Sequence, residues 1–304
     1  MYDIIGDIHG NYDLLVKLLK KLGYQNNNDN FTHPGRKVIF MGDFINRGNK
    51  IRATARLIKK MVESGHAFCI LGNHELNAIL YATLDKSGKS LQKRLPRYKM
   101  PLLKTLDEYK KYPAEFDETV KWFRSLPLFL DFGNLRVVHG SWNEQYIQTF
   151  KQYMGEETHL RKRFLKTYLT NQELSAAVDG LIKGEELQLP KNLLLKDELG
   201  ITRRSFRIKW WEPVDGKTFN DVSFGNHFSL PAYTIPKEIV PVINSYPEEA
   251  PPVFIGHYCL ENNALIFQRN ICCIDTCVTR TQRLAAYRWN GEQHLSENNI
   301  VEVH

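Results

Sequence analysis

The chain has 304 residues, 42% hydrophobic and 25% charged, so it is long enough to bury a sizeable core and too apolar for wholesale disorder. Its 41 Lys+Arg against 34 Asp+Glu leave a formal net charge of +7, which suits an anionic small substrate, a nucleic acid or plain solubility. No apolar run approaches the roughly 20 residues of a transmembrane helix, which excludes an integral membrane protein of that kind and argues against a membrane partner.

In chain order, Tyr2–Ile5 is a short β-type run ending in a Gly-Asp turn. Leu14, Leu15, Leu18, Leu19 and Leu22 then fall on one helical stripe, which Gly23 can close. Residues 37–41 form a second strand, again ending in Gly-Asp, and Ala53, Leu57, Ile58, Met61 and Val62 follow at helical spacing before Gly65. Residues 67–71 are a third strand, ending in Gly72-Asn73-His74. Strand, loop and helix repeated in this way predict a largely parallel or mixed sheet covered by helices. Later sheet signals fall at 135–138, 253–255, 264–267 and 271–274, and 285–289 followed by Asn290-Gly291 predicts a hairpin. Between the two halves, 144–190 is polar and helix-rich, and 191–225 is basic and aromatic. The expected organisation is a single domain over 1–304 with an insertion at about 144–235.

The N-terminus shows neither a basic n-region nor a long apolar h-region, so no signal peptide is expected, and a cytoplasmic location is. Cys69, Cys259, Cys272, Cys273 and Cys277 are odd in number and sit in apolar surroundings, which predicts free buried thiols in a reducing compartment. The alternative is a zinc site at Cys272, Cys273 and Cys277, against which the spacing argues.

Five short elements stand just after β-type runs: Gly6-Asp7-Ile8-His9-Gly10, Gly42-Asp43-Phe44-Ile45-Asn46-Arg47-Gly48, Gly72-Asn73-His74-Glu75, His139-Gly140 and Gly256-His257. In an open α/β sheet the carboxyl ends of the strands form the ligand crevice, so these polar tips should converge. Their Asp, Asn and His side chains are oxygen and nitrogen donors suited to Mn, Fe, Zn or Mg rather than to thiophilic ions. Taken singly, a Gly-Asp is a turn and a histidine on an apolar strand is a core residue. Their order and their common place at strand ends point to chemistry.

That order, GDxHG … GDxxxRG … GNHE … HG … GH, resembles the metallophosphoesterases of the calcineurin-like, phosphoprotein-phosphatase superfamily over roughly residues 1–80, 130–145 and 250–280. The resemblance implies an α/β fold: a metallophosphoesterase-type sandwich of mixed β-sheets flanked by helices, with a helical and aromatic insertion. It implies a two-metal phosphoester or phosphoanhydride hydrolase in which a metal-bridging hydroxide attacks phosphorus in line. Carried over by motif, Asp7 and His9 would hold the first ion, Asp43 would bridge, and Asn73, His139 and His257 would complete the second. The ions would be two divalent metals, manganese first, with iron, zinc or magnesium as alternatives. Arg47 would be both catalytic and substrate-binding, its planar fork meeting a phosphate oxygen. His74 would be the general acid for the leaving oxygen or, alternatively, a hydrogen-bond donor only. Glu75 reads as a helix-start residue near the positive end of the dipole.

Two departures from the family pattern matter. Asn46 stands where the motif GDxxDRG has an aspartate; as the catalytic neighbour of His74 it can accept a hydrogen bond but brings no negative charge. A weaker acid at His74 follows, or a substrate with a good leaving group such as a nucleotide phosphate. The stretch 208–225 resembles the family's W-S-D-P … N-D-R-G-V-S-x-x-F-G but lacks the arginine that grips phosphate. Arg207 is expected to substitute as a substrate-binding residue, with Arg203 and Arg204 as alternatives.

Residues 270–276 and 283–289 resemble the bacterial dinucleoside-tetraphosphatase-like branch, with Cys277 in place of a glycine. Asp275 there either orients a metal-ligating histidine or forms a turn. The expected partner is a phosphorylated substrate, either a phosphoprotein or a dinucleoside polyphosphate, and Trp210 and Trp211 either stack a nucleobase or pack on the core. The alternative function is a metal-dependent nuclease or phosphodiesterase. Gly256-His257-Tyr258-Cys259 lacks the second histidine of the nuclease GHxH, so nucleic acid is not the expected partner.

Overall fold

The computed structural model describes residues 1–28, 30–92, 99–190, 195–196, 202–224, 230, 232–237, 245–261 and 265–304. Its frame strands are β1 (Tyr2–Ile5), β2 (Lys37–Phe40), β3 (Ala67–Cys69), β4 (Phe129–Asp131), β5 (Arg136–Val138), β6 (Val253–Ile255), β7 (Ile266–Gln268), β8 (Ile271–Cys273), β9 (Leu284–Trp289) and β10 (Ile300–Val303). They make two five-stranded sheets, one in the order β10-β9-β1-β2-β3 and the other β7-β8-β6-β5-β4. Within each sheet three neighbours run parallel, β1 with β2 and β3, and β8 with β6 and β5; the remaining strands pair antiparallel. The central strands are continuous apolar runs because both of their faces are covered: Ile4, Ile5, Val38, Ile39, Phe254 and Ile255 are fully buried.

The main helices are α1 (Tyr12–Lys21), α2 (Ile51–Glu63), α3 (Asn73–Ala82), α4 (Leu103–Tyr109), α5 (Pro113–Phe123), α6 (Glu144–Met154), α7 (Leu165–Thr170) and α8 (Gln172–Lys183). The α1 stripe buries Leu15, Leu18 and Leu19, and α2 buries Leu57, Ile58 and Met61. Each such side chain contributes about 1.5–3 kcal/mol on burial, so the stripes hold these helices rather than side-chain caps of their own, which both lack. The stops fall where expected, at Gly23 (φ +88°) and Gly65 (φ +77°).

One core joins the two sheets, with Phe254 of β6 and Tyr287 of β9 meeting at 5.0 Å between ring centroids. Within the span expected as an insertion, Ile147 and Phe150 of α6 and Val178 and Leu181 of α8 lie in that same core. Leu187, Phe206, Ile208, Phe219 and Val222 belong to a second, smaller cluster. Trp210 and Trp211 are 3% and 2% exposed, and Trp211 stacks on Phe267 at 5.3 Å. Of the two readings of this pair, packing on the core holds; neither indole presents a face to a nucleobase.

Some sequence expectations change. The strands expected at 37–41, 67–71, 135–138 and 271–274 are each one or two residues shorter, and the strand expected at 264–267 is β7, Ala264 lying outside the described residues. The hairpin after 285–289 forms as β9 and β10, but its connection runs from Asn290 to Asn299. Glu292 sits inside that connection and accepts from the Asn290 N–H at 2.7 Å and the Tyr287 hydroxyl at 2.8 Å, which holds a loop wider than a two-residue turn. Cys259 and Cys277 are disulfide-bonded, which corrects the expectation of five free thiols; Cys69, Cys272 and Cys273 are free and buried. The zinc alternative fails with it, because Cys277 is engaged and Cys272 and Cys273, adjacent on β8, point to opposite faces. Among the described residues no helix is long and apolar enough to cross a membrane.

Candidate active site

The parallel strands of both sheets end in site residues. β1 runs into Gly6-Asp7, β2 into Met41-Gly42-Asp43, β3 toward Gly72-Asn73-His74, β5 into His139, β6 into Gly256-His257, and β8 into Ile274-Asp275. The loops beyond them turn sharply: His9, Asp43, Asn46, Arg47 and His257 have φ of 45°, 47°, 67°, 62° and 70°. Left-handed residues gathered in this way mark backbone that surrounding hydrogen bonds must hold in place. Gly256 allows a close approach between the sheets, since a Cβ there would lie 2.5 Å from Asp7 Oδ1 and 3.2 Å from His139 Nδ1.

Two sets of donor atoms lie within 4.8 Å of one another: His9, Asp43 and His74, and Asp43, His139 and His257. Asp43 belongs to both. Its Oδ2 is 3.3 Å from His139 Nε2 and 3.8 Å from His74 Nε2. His9 and His139 turn Nδ1 toward the carbonyls of Ile45 (3.0 Å) and Met41 (2.6 Å). Donating Nδ1–H there makes Nε2 the end of each ring that can turn a lone pair to a cation, which is how ligating histidines are commonly oriented. The Asn73 side chain lies 2.7 Å from His257 Nδ1 and, with its amide nitrogen turned inward, 3.1 Å from Asp43 Oδ2.

Asp7 is 1% exposed; its Oδ2 accepts from the His257 N–H at 3.2 Å, while its buried Oδ1 has no hydrogen-bond partner among the described residues. An orphaned carboxylate oxygen is costly unless a cation or a proton meets it. With imidazole nitrogens and a second carboxylate beside it, this donor set fits divalent metal ions. The expected first set was Asp7, His9 and Asp43; the tight triplet holds His74 in place of Asp7, and Asp7 lies against the His257 loop instead.

The buried charges here act on one another. Burial, then the charges of Asp275 and Asp43, push the Asp7 carboxyl well above the usual range. Burial also pushes Asp43 up, but His74, His139 and His9 outweigh it and hold that carboxyl well below. Burial pushes His139 down, yet Asp43 and Asp7 raise it to about 10. Burial takes His74 down to about 3, and burial together with the Arg207 charge holds His257 well below its ordinary value. The carboxylates therefore draw positive charge onto His139, the charge a divalent cation would otherwise supply.

Asn46 is fully buried and presents Nδ2 to His74 Nδ1 at 2.5 Å, so it faces His74 with its donor end rather than the accepting end expected from the sequence. Arg47 is exposed, with Nη2 3.4 Å from His74 Nε2. Arg207, on the short strand Ser205–Arg207, has its guanidinium 5.9 Å from the Tyr258 ring and its charge bears on His257. Of the other two arginines considered, Arg204 is exposed and the Arg203 side chain lies outside the described residues. Asp7, His9, Asp43, Asn46, Arg47, Asn73, His74, His139, His257 and Arg207 are thus gathered at one place.

Glu75 does more than start α3. Fully buried, its carboxylate accepts from the backbone N–H groups of Asp43 (2.8 Å), Phe44 (3.1 Å), Ile45 (3.2 Å) and Gly72 (3.2 Å), and so moulds the Asp43 loop. Asp275 accepts from the N–H groups of Cys259 (2.6 Å) and Cys277 (2.9 Å). Of its two readings the turn-forming one holds, since these bonds tie the loops after β6 and β8 and go to backbone rather than to a histidine. Thr105, for which the sequence carries no signal, meets Asn46 from α4.

Residues 2–185 match the family model described as calcineurin-like phosphoesterase. The asymmetrical bis(5'-nucleosyl)-tetraphosphatase PrpE of Geobacillus sp. is 32% identical over 188 residues, which cover 55% of this chain and 73% of that protein. The PrpE proteins of Oceanobacillus iheyensis and Anoxybacillus flavithermus, each 31% identical, are matched over 53% and 60% of their lengths and over 45% and 48% of this chain. A cold-active protein tyrosine phosphatase shares the fold at a TM-score of 0.50 and 16% identity, over 96% of this chain and 77% of that one. The family match spans the strand ends from Asp7 to His139, including the aspartate common to both donor sets. By its sheets, its motif order and that match, the chain belongs to the calcineurin-like phosphoesterase family and is related to its bacterial bis(5'-nucleosyl)-tetraphosphatase-like branch.

Proposed function

We propose that the chain hydrolyses phosphoanhydride and phosphoester bonds with two divalent metal ions, and that dinucleoside polyphosphates are its preferred substrates. One observation carries the hydrolase reading: Asp43, a buried carboxylate shared by two donor sets. When bound, two such ions supply Lewis-acid polarisation of phosphoryl oxygens and a nucleophile acidified toward neutral pH. Oxygen and nitrogen donors without thiolate favour manganese, with iron, zinc or magnesium as substitutes. Asp7, His9 and Asp43 would hold one ion, and Asp43, Asn73, His139 and His257 the other, the shared carboxylate offsetting the repulsion between them. Arg47, exposed at the rim, would offer paired donors to a phosphate oxygen that gains charge, and Arg207 beside His257 would offer a second grip.

The substrate preference rests on Asn46. His74 is backed at Nδ1 by an amide that donates, not by a carboxylate, and an amide there does not stabilise an imidazolium. A leaving group that carries its own negative charge, as a nucleotide phosphate does, suits such a site better than a serine alkoxide. The similarity to proteins named bis(5'-nucleosyl)-tetraphosphatases supports the same class.

The test offers the manganese-loaded protein diadenosine tetraphosphate beside phosphoserine and phosphotyrosine peptides, following nucleotide and inorganic phosphate release together. Nucleotide release is expected to dominate. Asp43→Asn, with folding checked by circular dichroism, should lose far more activity than the roughly 10–100-fold that loss of an outer partner costs. Full activity in that variant would overturn the metal assignment, and faster release from the peptides would move the substrate to phosphoproteins.

A further inference from the structure

We propose that Thr105 is a positioning residue: acting through Asn46, it fixes His74 as the Nε2–H tautomer with Nδ1 as an acceptor. The proposal deepens the hydrolase reading above and rests on it for its consequence, that His74 faces the leaving oxygen.

Thr105 lies on α4 and is 1% exposed. Its Oγ1 is 3.2 Å from the Asn46 backbone nitrogen and 2.5 Å from Asn46 Oδ1. A hydroxyl has one proton and two lone pairs, and a backbone N–H can only donate. The Asn46 N–H therefore takes a lone pair of Oγ1, and the hydroxyl proton goes to Asn46 Oδ1, its one acceptor among the described residues. That fixes the amide, oxygen toward Thr105 and nitrogen toward His74. Asn46 Nδ2 then donates to His74 Nδ1 at 2.5 Å. A neutral imidazole that accepts at Nδ1 carries its proton on Nε2. The reverse amide orientation would set Nδ2 against Oγ1 and strand the threonine proton in a buried site, which is the kind of unmade bond a folded protein avoids.

One contact competes. Arg47 Nη2 is 3.4 Å from His74 Nε2, and a guanidinium only donates, so a bond there would need the lone pair on Nε2. A neutral imidazole has one lone pair, and a contact at 2.5 Å between buried groups takes precedence over one at 3.4 Å from an exposed side chain. Arg47 is then left to turn to an anion.

The rest of α4 holds Thr105 in register with this loop. Lys104 Nζ donates to the Arg47 carbonyl at 2.7 Å, and Glu108 accepts from the N–H groups of Ile51 and Arg52, both at 2.9 Å. Those two residues grip the loop's backbone and the start of α2, whereas Thr105 reaches through to a side chain of the site. An aspartate at position 46 would reverse the polarity, because a carboxylate only accepts and would take Nδ1–H. In this chain the proton is set on Nε2 before substrate arrives, so His74 can offer a hydrogen to a leaving oxygen but cannot act there as a base.

The experiment records long-range proton–nitrogen correlations of the 304-residue chain labelled with 15N-histidine, with and without magnesium, the His74 signals being assigned through His74→Gln. The wild type should show Nε2 protonated and Nδ1 bare. Thr105→Val, close in shape but without the hydroxyl, should shift His74 toward the Nδ1–H form or a mixture, Thr105→Ser should restore the wild-type pattern, and Asn46→Asp should move the proton to Nδ1. In turnover, Thr105→Val should lower kcat on alkyl phosphates more than on aryl phosphates, with KM within about twofold, a split that loss of a merely structural contact would not produce. A wild-type His74 protonated on Nδ1, or a Thr105→Val tautomer unchanged from wild type, would overturn the proposal. Should Thr105→Val fail to fold, the wild type and Asn46→Asp decide it. Failure of the hydrolase reading would show separately, as no turnover of any phosphate by the magnesium- or manganese-loaded wild type, while the tautomer still decides the relay.

Discussion

At Glu75 four backbone N–H groups, from Gly72, Asp43, Phe44 and Ile45, converge on one buried carboxylate. A glutamine there keeps one accepting oxygen and turns an NH2 toward donors, and each buried donor left unpaired costs about 1–3 kcal/mol. Glu75→Gln should therefore lower unfolding stability by about 2 kcal/mol or more in urea titration, and weaken metal binding as the Asp43 loop relaxes. An unchanged midpoint would mean that the loop holds itself. The sequence places Glu75 beside His74 but cannot show this role, because three of the four bonded partners lie 30 to 32 residues earlier and no local pattern encodes that separation. Asn46 is legible in the same partial way. Its lost charge is plain in the motif, whereas the end of the amide that faces His74 depends on Thr105, 59 residues further on.

Among the elements, α4 is the one on which the site leans without any sequence signal. It has 7 residues, too few for a periodic stripe to stand out, and it follows a stretch with no clear pattern. Its Glu108 takes the place of the missing N-cap of α2, accepting from the first two N–H groups of that helix. Such a cap contributes about 0.5–2 kcal/mol, here with the added gain of a carboxylate at the positive end of a helix dipole. Glu108→Ala should lower stability by roughly 1 kcal/mol. Because Arg47 sits in the loop just before α2, the same change should raise KM for a phosphate substrate while kcat holds. Thermal melts and steady-state kinetics read the two effects apart, and a stability loss with unchanged KM would show that the brace does not extend to Arg47. The helices that the sequence does show, α1 and α2, are those whose leucine and methionine stripes face the core over three turns, where burial is the dominant signal.

Across the whole molecule, the strand ends could be read one by one, but their sharing between two sheets could not. β1 pairs with β9 through Tyr2 and Trp289, at opposite ends of the chain, and sheet membership is set by such long-range register. Bringing the two sheets together places Asp7, Asp43 and Asp275 near one another in a chain whose net charge is +7. The consequence is a linkage between pH and metal. His139, raised to about 10 from 6.5, adds stability that is complete below about pH 6.5 and lost as pH rises toward 10. Asp7, raised by burial, loses its contribution in the same direction, from the ordinary carboxylate range upward. Asp43, held low, adds stability above the ordinary carboxylate range and loses it only as pH falls through its depressed value. Through neutral and mildly alkaline pH the metal-free chain should therefore weaken as pH rises. Divalent ions that take His139 Nε2 and the Asp7 carboxylate must displace those protons, so their affinity should climb by up to about tenfold per pH unit for each proton released. The rise in Tm on adding manganese should then grow between about pH 6.5 and 8.5, and calorimetric titration in buffers of different ionisation enthalpy should find about one proton or more released per chain at pH 7. A Tm increment independent of pH, with no proton released, would mean that His139 is neutral in the metal-free chain and that the two carboxylates are balanced by some other group.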